Sequence, residues 1–191
     1  MLGLAAIFVL IFSLQVTAAT ITVPAGGNFQ AALDSAQPGD TIVLTAGVSY
    51  IGNFRLRKKS GASASSYITI RTSNMGGIPG EGVRVTTEHD GAMAKILTPG
   101  NGLPAIEADA GAGFYKFIGL YISVNYGSDP SREYGSSFLI TIGNGNDSNP
   151  NYGPWLAHDI TFDRCHVAGK FGDSRFAFSI LGERVTVINS I

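Results

Sequence analysis

Residues 21–50 read ITVPAGGNFQAALDSAQPGDTIVLTAGVSY, and their punctuation separates a strand, a short helix and a second strand. Ile21 and Val23 flank Thr22 with the alternation of a strand, whose successive side chains point to opposite faces. Asn28 is of the type that caps a helix N-terminus, and Phe29, Ala32, Leu33 and Ala36 recur behind it at helical spacing until Pro38-Gly39 stops the run. About two turns of helix do not persist alone, so the apolar stripe must lie on something larger. Thr41 to Thr45 then sets Ile42 and Leu44 on one face and Val43 on the other, and Gly47 turns the chain away. The pattern predicts a helix laid across the open apolar end of a strand stack.

Working outward, short strands are expected at 53–57, 67–72, 83–87, 95–98, 115–124, 138–142, 160–167 and 176–191, the last broken at Gly182-Glu183. Each is bounded by Gly, Pro, Asn or Ser, and each has one apolar face: Ile68 and Ile70; Ile118, Leu120 and Ile122; Ile160 and Phe162; Val185 and Val187. Phe162 to Val187 is 25 residues, and Leu120 to Phe162 is 42, which fits two turns carrying an insertion. Such a period suits a solenoid in which each turn covers the apolar edge of the one before. A Greek-key sandwich or jelly roll shares the short alternating strands. Residues 58–66, 109–113, 125–135 and 143–153 are too polar and glycine-rich to be packed strands.

Composition narrows the function. The 191 residues carry 13 Lys plus Arg against 14 Asp plus Glu, which provides no field for a nucleic-acid partner. Gly numbers 25 without a collagen-like period, and 45% of residues are hydrophobic, which argues for a packed, turn-rich β protein. A single Cys rules out an internal disulfide. Residues 2–16 are apolar apart from Gly3, Ser13 and Gln15 and run into Thr17-Ala18-Ala19. The pairs Val16/Ala18 and Thr17/Ala19 both suit a signal peptidase. The expected organisation is a signal peptide over 1–19 and one domain over 20–191, secreted or held in the periplasm or at the cell surface, with no membrane association after leader removal.

The blocks Gly27 to Leu33, Ala36 to Leu44, Ala46 to Tyr50 and Gly52-Asn53-Phe54, with Tyr67 to Thr72 and His158 to Cys165, resemble secreted right-handed parallel β-helix proteins of the pectate-lyase-like superfamily. The resemblance implies an all-β, single-stranded parallel β-helix with a short N-terminal capping helix. It also implies a polysaccharide partner, calcium as the cofactor of related lyases, β-elimination on acidic glycans, and a monomer if the chain is complete. Full members continue for more turns, whereas this sequence stops within a strand-like run at Ile191. It is therefore read as the N-terminal portion, truncated at the C-terminus with the groove incomplete. The alternative is a non-catalytic glycan-binding or surface module.

Candidate site residues fall in three places. Asp163, Arg164 and His166 belong to the densest polar group, together with His158 and Asp159; the alternation points Asp163 outward, opposite Ile160 and Phe162. This group reads either as an acid–base constellation or as a salt-linked turn. Tyr152, Trp155 and Arg132 are candidates for carbohydrate binding from loops, by aromatic stacking and by charge. Asp147 sits among Asn144, Asn146 and Asn149 as a candidate hard-cation ligand, or as part of an Asn/Gly turn. Cys165 is expected to pack inside.

Overall fold

The computed structural model describes residues 17–125, 127, 138–143, 156–169 and 176–191. β1 (Thr20–Val23) leads into α1 (Phe29–Ser35), after which the chain repeats a circuit of three strands. The first circuit is β2 (Thr41–Leu44), β3 (Ser49–Ile51) and β4 (Phe54–Leu56), and the second is β5 (Ile68–Thr72), β6 (Ala94–Thr98) and β7 (Ile106–Ala108). The third is β8 (Gly113–Ile118), β9 (Leu120–Val124) and β10 (Phe138–Ile142). The fourth is β11 (His158–Asp163), β12 (His166–Val167) and β13 (Phe176–Ile180), and β14 (Glu183–Ile188) opens a fifth. Strands pair with their counterparts one circuit away, in the orders β1-β2-β5-β8-β11-β14, β3-β6-β9-β12 and β4-β7-β10-β13. Every pairing among the described strands is parallel. This is an all-β parallel β-helix, and the antiparallel sandwich is excluded.

Register turns the alternation into internal columns. Ile42, Ile70, Phe117, Phe162 and Val187 align along the first sheet. Tyr50, Ile96, Ile122 and Val167 align along the second, and Phe54, Ile106, Ile140 and Phe178 along the third. The Phe117 and Phe162 rings stack at 4.8 Å with 9° between planes. Burying each aliphatic or Phe side chain contributes roughly 1.5–3 kcal/mol before entropy, so stability accumulates circuit by circuit without covalent links. Cys165 lies in this core, fully buried.

The helix caps the open end as expected. The Asn28 side chain accepts from Ala31 N at 2.9 Å, and Phe29, Ala32 and Leu33 are buried. Phe29 packs 4.7 Å from Phe54 and 6.1 Å from Tyr50. The Gln30 amide also grips the edge strand β4: its Oε1 accepts from Arg55 N at 2.8 Å and its Nε2 donates to Arg55 O at 3.1 Å. A side chain thereby satisfies backbone groups that an edge otherwise presents to a second chain.

Three expectations are corrected. The run 115–124 is two strands, because Gly119 takes a φ of 63° and turns the corner between sheets. Arg164 and Asn189, both at 52°, occupy the same corner in the next two circuits. As a result Leu120 pairs with Ala94, and the register partner of Phe162 is Phe117. Residues 83–87 are not a strand. They belong to an excursion between β5 and β6 that contains two short 3-10 helices, Met75–Gly77 and Thr87–Ala92. Ile78, Val85, Ala92 and Met93 from this excursion form a satellite core with Ile118 on the outside of the coil.

Candidate functional site

The dense polar group of the sequence divides into three in space, each held by its own partners.

The first arises from a repeated bulge. Phe114, Asp159 and Arg184 have φ values of 62°, 51° and 52°, and the ladder passes over them: Gly113, His158 and Glu183 pair on one side, Tyr115, Ile160 and Val185 on the other. A left-handed residue at the same point of successive strands re-aims its side chain, so the three form an outward row. Asp159 Oδ1 accepts from Arg184 Nε at 2.8 Å and Oδ2 from Arg184 Nη2 at 2.7 Å. His158 Nδ1 lies 2.7 Å from the same Oδ2. The Arg184 guanidinium holds the Asp159 carboxyl at about 2, with His158 adding to that effect against the opposing pull of desolvation. Asp159 is therefore ionised at neutral pH and can only accept, so the hydrogen between the two sits on His158 Nδ1.

Packing fixes the ring. A Cβ at Gly113 would stand 2.5 Å from His158 Cε1, so glycine clears the place that the imidazole occupies. Phe114 meets His158 edge to face at 5.1 Å, and Tyr67 meets Phe114 at 5.6 Å. The Tyr67 hydroxyl titrates above the ordinary phenol range through burial, reinforced by the Asp159 charge. The Arg184 side chain remains 59% exposed, so a guanidinium stands at the open end of a row of two aromatic rings and an imidazole.

The low value at Asp159 gives an acid-limb prediction. Its ionised form is favoured by the fold, so the stability it adds is complete above the ordinary carboxyl value of 3.8 and disappears as pH falls to about 2. Denaturant unfolding of the wild type is expected to weaken across that window more than that of Asp159→Asn. Parallel pH profiles would contradict the assignment.

The second group is Asp163 and Arg164, both 4% exposed. Arg164 Nε and Nη2 donate to Asp163 Oδ2 at 3.1 and 2.9 Å, Asn189 Nδ2 donates to Oδ1 at 3.0 Å, and Arg164 Nη1 donates to Pro79 O at 3.0 Å. Asp163 does face away from the coil, as the alternation implied, but the excursion covers it. The third group is His166, whose Nδ1 lies 2.7 Å from Asp90 Oδ1 and whose ring meets Tyr121 at 4.9 Å. Lys95 Nζ sits 5.9 Å from the Tyr121 ring centroid, in register with it. The structure thus gives Asp163 and Arg164 to one cluster and His166 to another. Burial pushes the Cys165 thiol up to about 12, which suits a packing residue and not a nucleophile.

Arg132, Asp147, Tyr152 and Trp155 lie outside the described residues. Among the described residues no three His, Cys, Asp or Glu side chains gather as a metal site. Sequence reasoning placed His158 and Asp159 in the polar group but missed Arg184. The available signal was spacing: Asp159 and Arg184 are separated by the same 25 residues as Phe162 and Val187.

A coil of parallel strands with a row of stacked bulges places this chain among the parallel β-helix proteins. No protein-family model matches the sequence, and no curated protein matches it. Similar solved structures include an alginate lyase from Paenibacillus sp. str. FPU-7, at TM-score 0.53 and 19% identity over 90% of this chain and 44% of that one. They also include the PL6-family alginate lyase AlyGC, at TM-score 0.44 and 15% identity over 77% of this chain and 15% of that one. The first likeness shows a shared fold, and the chain spans less than half the length of that lyase. No helix among the described residues is long and apolar enough to cross a membrane.

Proposed function

We propose that this is an exported, carbohydrate-facing β-helix protein of the pectate-lyase-like superfamily, related to polysaccharide lyases that act on acidic glycans by β-elimination. One observation carries the reading: the row Tyr67, Phe114, His158, Asp159 and Arg184 along one edge of the six-stranded sheet. Parallel strands repeat at about 4.8 Å, which gives the row a fixed pitch along the coil. Aromatic rings offer apolar faces to sugar rings. The Arg184 guanidinium is 59% exposed although Asp159 holds its Nε and Nη2 and Glu183 its Nη1, so a uronate carboxylate would have to compete with them for it. A neutral His158 ring would present Nε2 as the proton acceptor beside it. In β-elimination a base removes the proton α to the uronate carboxylate, a C=C bond forms, and the glycosidic oxygen departs. Arg184 would offset the carboxylate charge and His158 would take the proton. On sequence grounds alone, Arg132, Tyr152 and Trp155 are further candidates for carbohydrate binding.

A non-catalytic reading of the same surface is favoured by the bidentate grip of Asp159 on Arg184, which makes the row a preformed clamp. One experiment tests the shared claim. The chain should be retarded in affinity electrophoresis through polyuronate gels, and Arg184→Ala should lose most of that retardation. Following ultraviolet absorbance of the unsaturated product separates lyase from binder. Migration unaffected by any acidic glycan would remove the proposal.

A further inference from the structure

We propose that export ends with hydrolysis of the Ala18–Ala19 peptide bond, and that the α-ammonium released on Ala19 is bound by the buried carboxylate of Asp40. The inference uses the export half of the proposed function and is independent of the glycan half. The sequence offers two bonds, after Ala18 and after Ala19, because Val16/Ala18 and Thr17/Ala19 both present small residues at the required spacing. The structure distinguishes them.

Ala19 is the residue at which the chain joins the coil. Its N–H donates to Asp40 Oδ1 at 2.7 Å, and its carbonyl accepts from Thr41 N at 2.8 Å, directly ahead of the ladder that pairs Thr20 with Thr41. Asp40 Oδ2 accepts from Gln37 N at 2.8 Å. Asp40 is only 5% exposed, while Thr17, Ala18 and Ala19 are all exposed and precede the first strand, so Ala19 is set apart by its two hydrogen bonds. A carboxylate so far from water needs compensation, and backbone N–H groups supply dipoles where a cation supplies a full charge. Cleavage after Ala18 puts a cation at the very nitrogen that already touches Oδ1. Cleavage after Ala19 instead removes both that donor and the acceptor of Thr41 N. The Lys59 ammonium feels the Asp40 charge but is placed elsewhere, its Nζ donating to Asp34 O at 2.8 Å.

The chemistry is ordinary amide hydrolysis by the export peptidase of the host. Water adds across the C–N bond, Ala18 keeps the carboxylate, and the Ala19 amine takes the proton. The ammonium then forms a charge-assisted hydrogen bond that fastens the start of β1 to the turn before β2.

The test expresses the full chain with its leader in an exporting host and reads the intact mass and N-terminal sequence of the exported protein. The expected first residue is Ala19; Thr20, or a retained leader, overturns the proposal. A second arm compares chains prepared to begin at Ala19 and at Ala18, where the Ala19 nitrogen is a neutral amide. Asp40→Asn should lower Tm more in the Ala19 chain than in the Ala18 chain, and equal shifts would reject the ion pair. Should Asp40→Asn fail to fold, acylation of the terminal amine near neutral pH serves instead: it should run several-fold slower in the folded Ala19 chain than in the Ala18 chain, and equal rates would reject the pair.

Discussion

Asp163→Ala is expected to destabilise the protein by about 3–5 kcal/mol, the range seen when one partner of a buried ion pair is removed. Arg164 would remain 4% exposed, with one hydrogen bond to Pro79 O and without the carboxylate that takes its Nε and Nη2. Asn189 would lose its acceptor as well, and Asn189 holds the same left-handed corner one circuit on. The pair lies under the excursion of residues 73–93, so its loss would also loosen Ile78 and Val85 from the satellite core. Urea unfolding measures the effect. A double replacement, Asp163→Leu with Arg164→Met, should recover much of the loss, because an apolar pair of similar size leaves no buried charge. A single-variant change below about 1 kcal/mol, the size of an ordinary exposed pair, would show that water reaches Arg164 and that the excursion is not a lid on it.

How far such features can be read from sequence depends on whether they are local. The capping helix was legible because Asn28, the Phe29/Leu33 stripe and Pro38-Gly39 act over one or two turns. Strand faces were legible too, since alternation survives any register. The register itself was hidden by the excursion of 73–93, which lengthens the sequence distance between stacked residues such as Ile70 and Phe117. The bulges were harder still. Asp159 is of a type enriched at positive φ, but nothing in the identities of Phe114 and Arg184 announces one, and non-glycine residues rarely adopt it. Stacking three of them one above another is a property of the coil, and it is what converts a scattered Phe, Asp and Arg into one row. Asp163 shows the converse case: alternation gave its face correctly, yet a segment about 80 residues earlier in the chain decides whether water reaches that face.

The second large effect is expected at Leu33. This side chain is 2% exposed and lies in the main core cluster with Phe29, Tyr50 and Phe54, at the end of the coil where, among the described residues, β1 is the one strand beyond the first circuit. Leu33→Asp removes the aliphatic contact, worth about 2–5 kcal/mol in buried Leu truncations, and adds an unpaired carboxylate whose burial costs further. The helix cannot rotate the carboxylate to solvent and stay seated, because Gln30 ties it to Arg55 N and O while Phe29 is wedged against Phe54. Unseating it would bare the β4 edge and the first rung together, so thermal melts should show a large drop in Tm and a raised tendency to associate. Leu33→Met keeps volume and apolarity and should change stability by less than about 1.5 kcal/mol. If the melts of Leu33→Asp and the wild type coincide, the short helix carries no weight at this end of the coil. The columns from Ile42 and Tyr50 onward would then have to be closed by something other than Phe29 and Leu33.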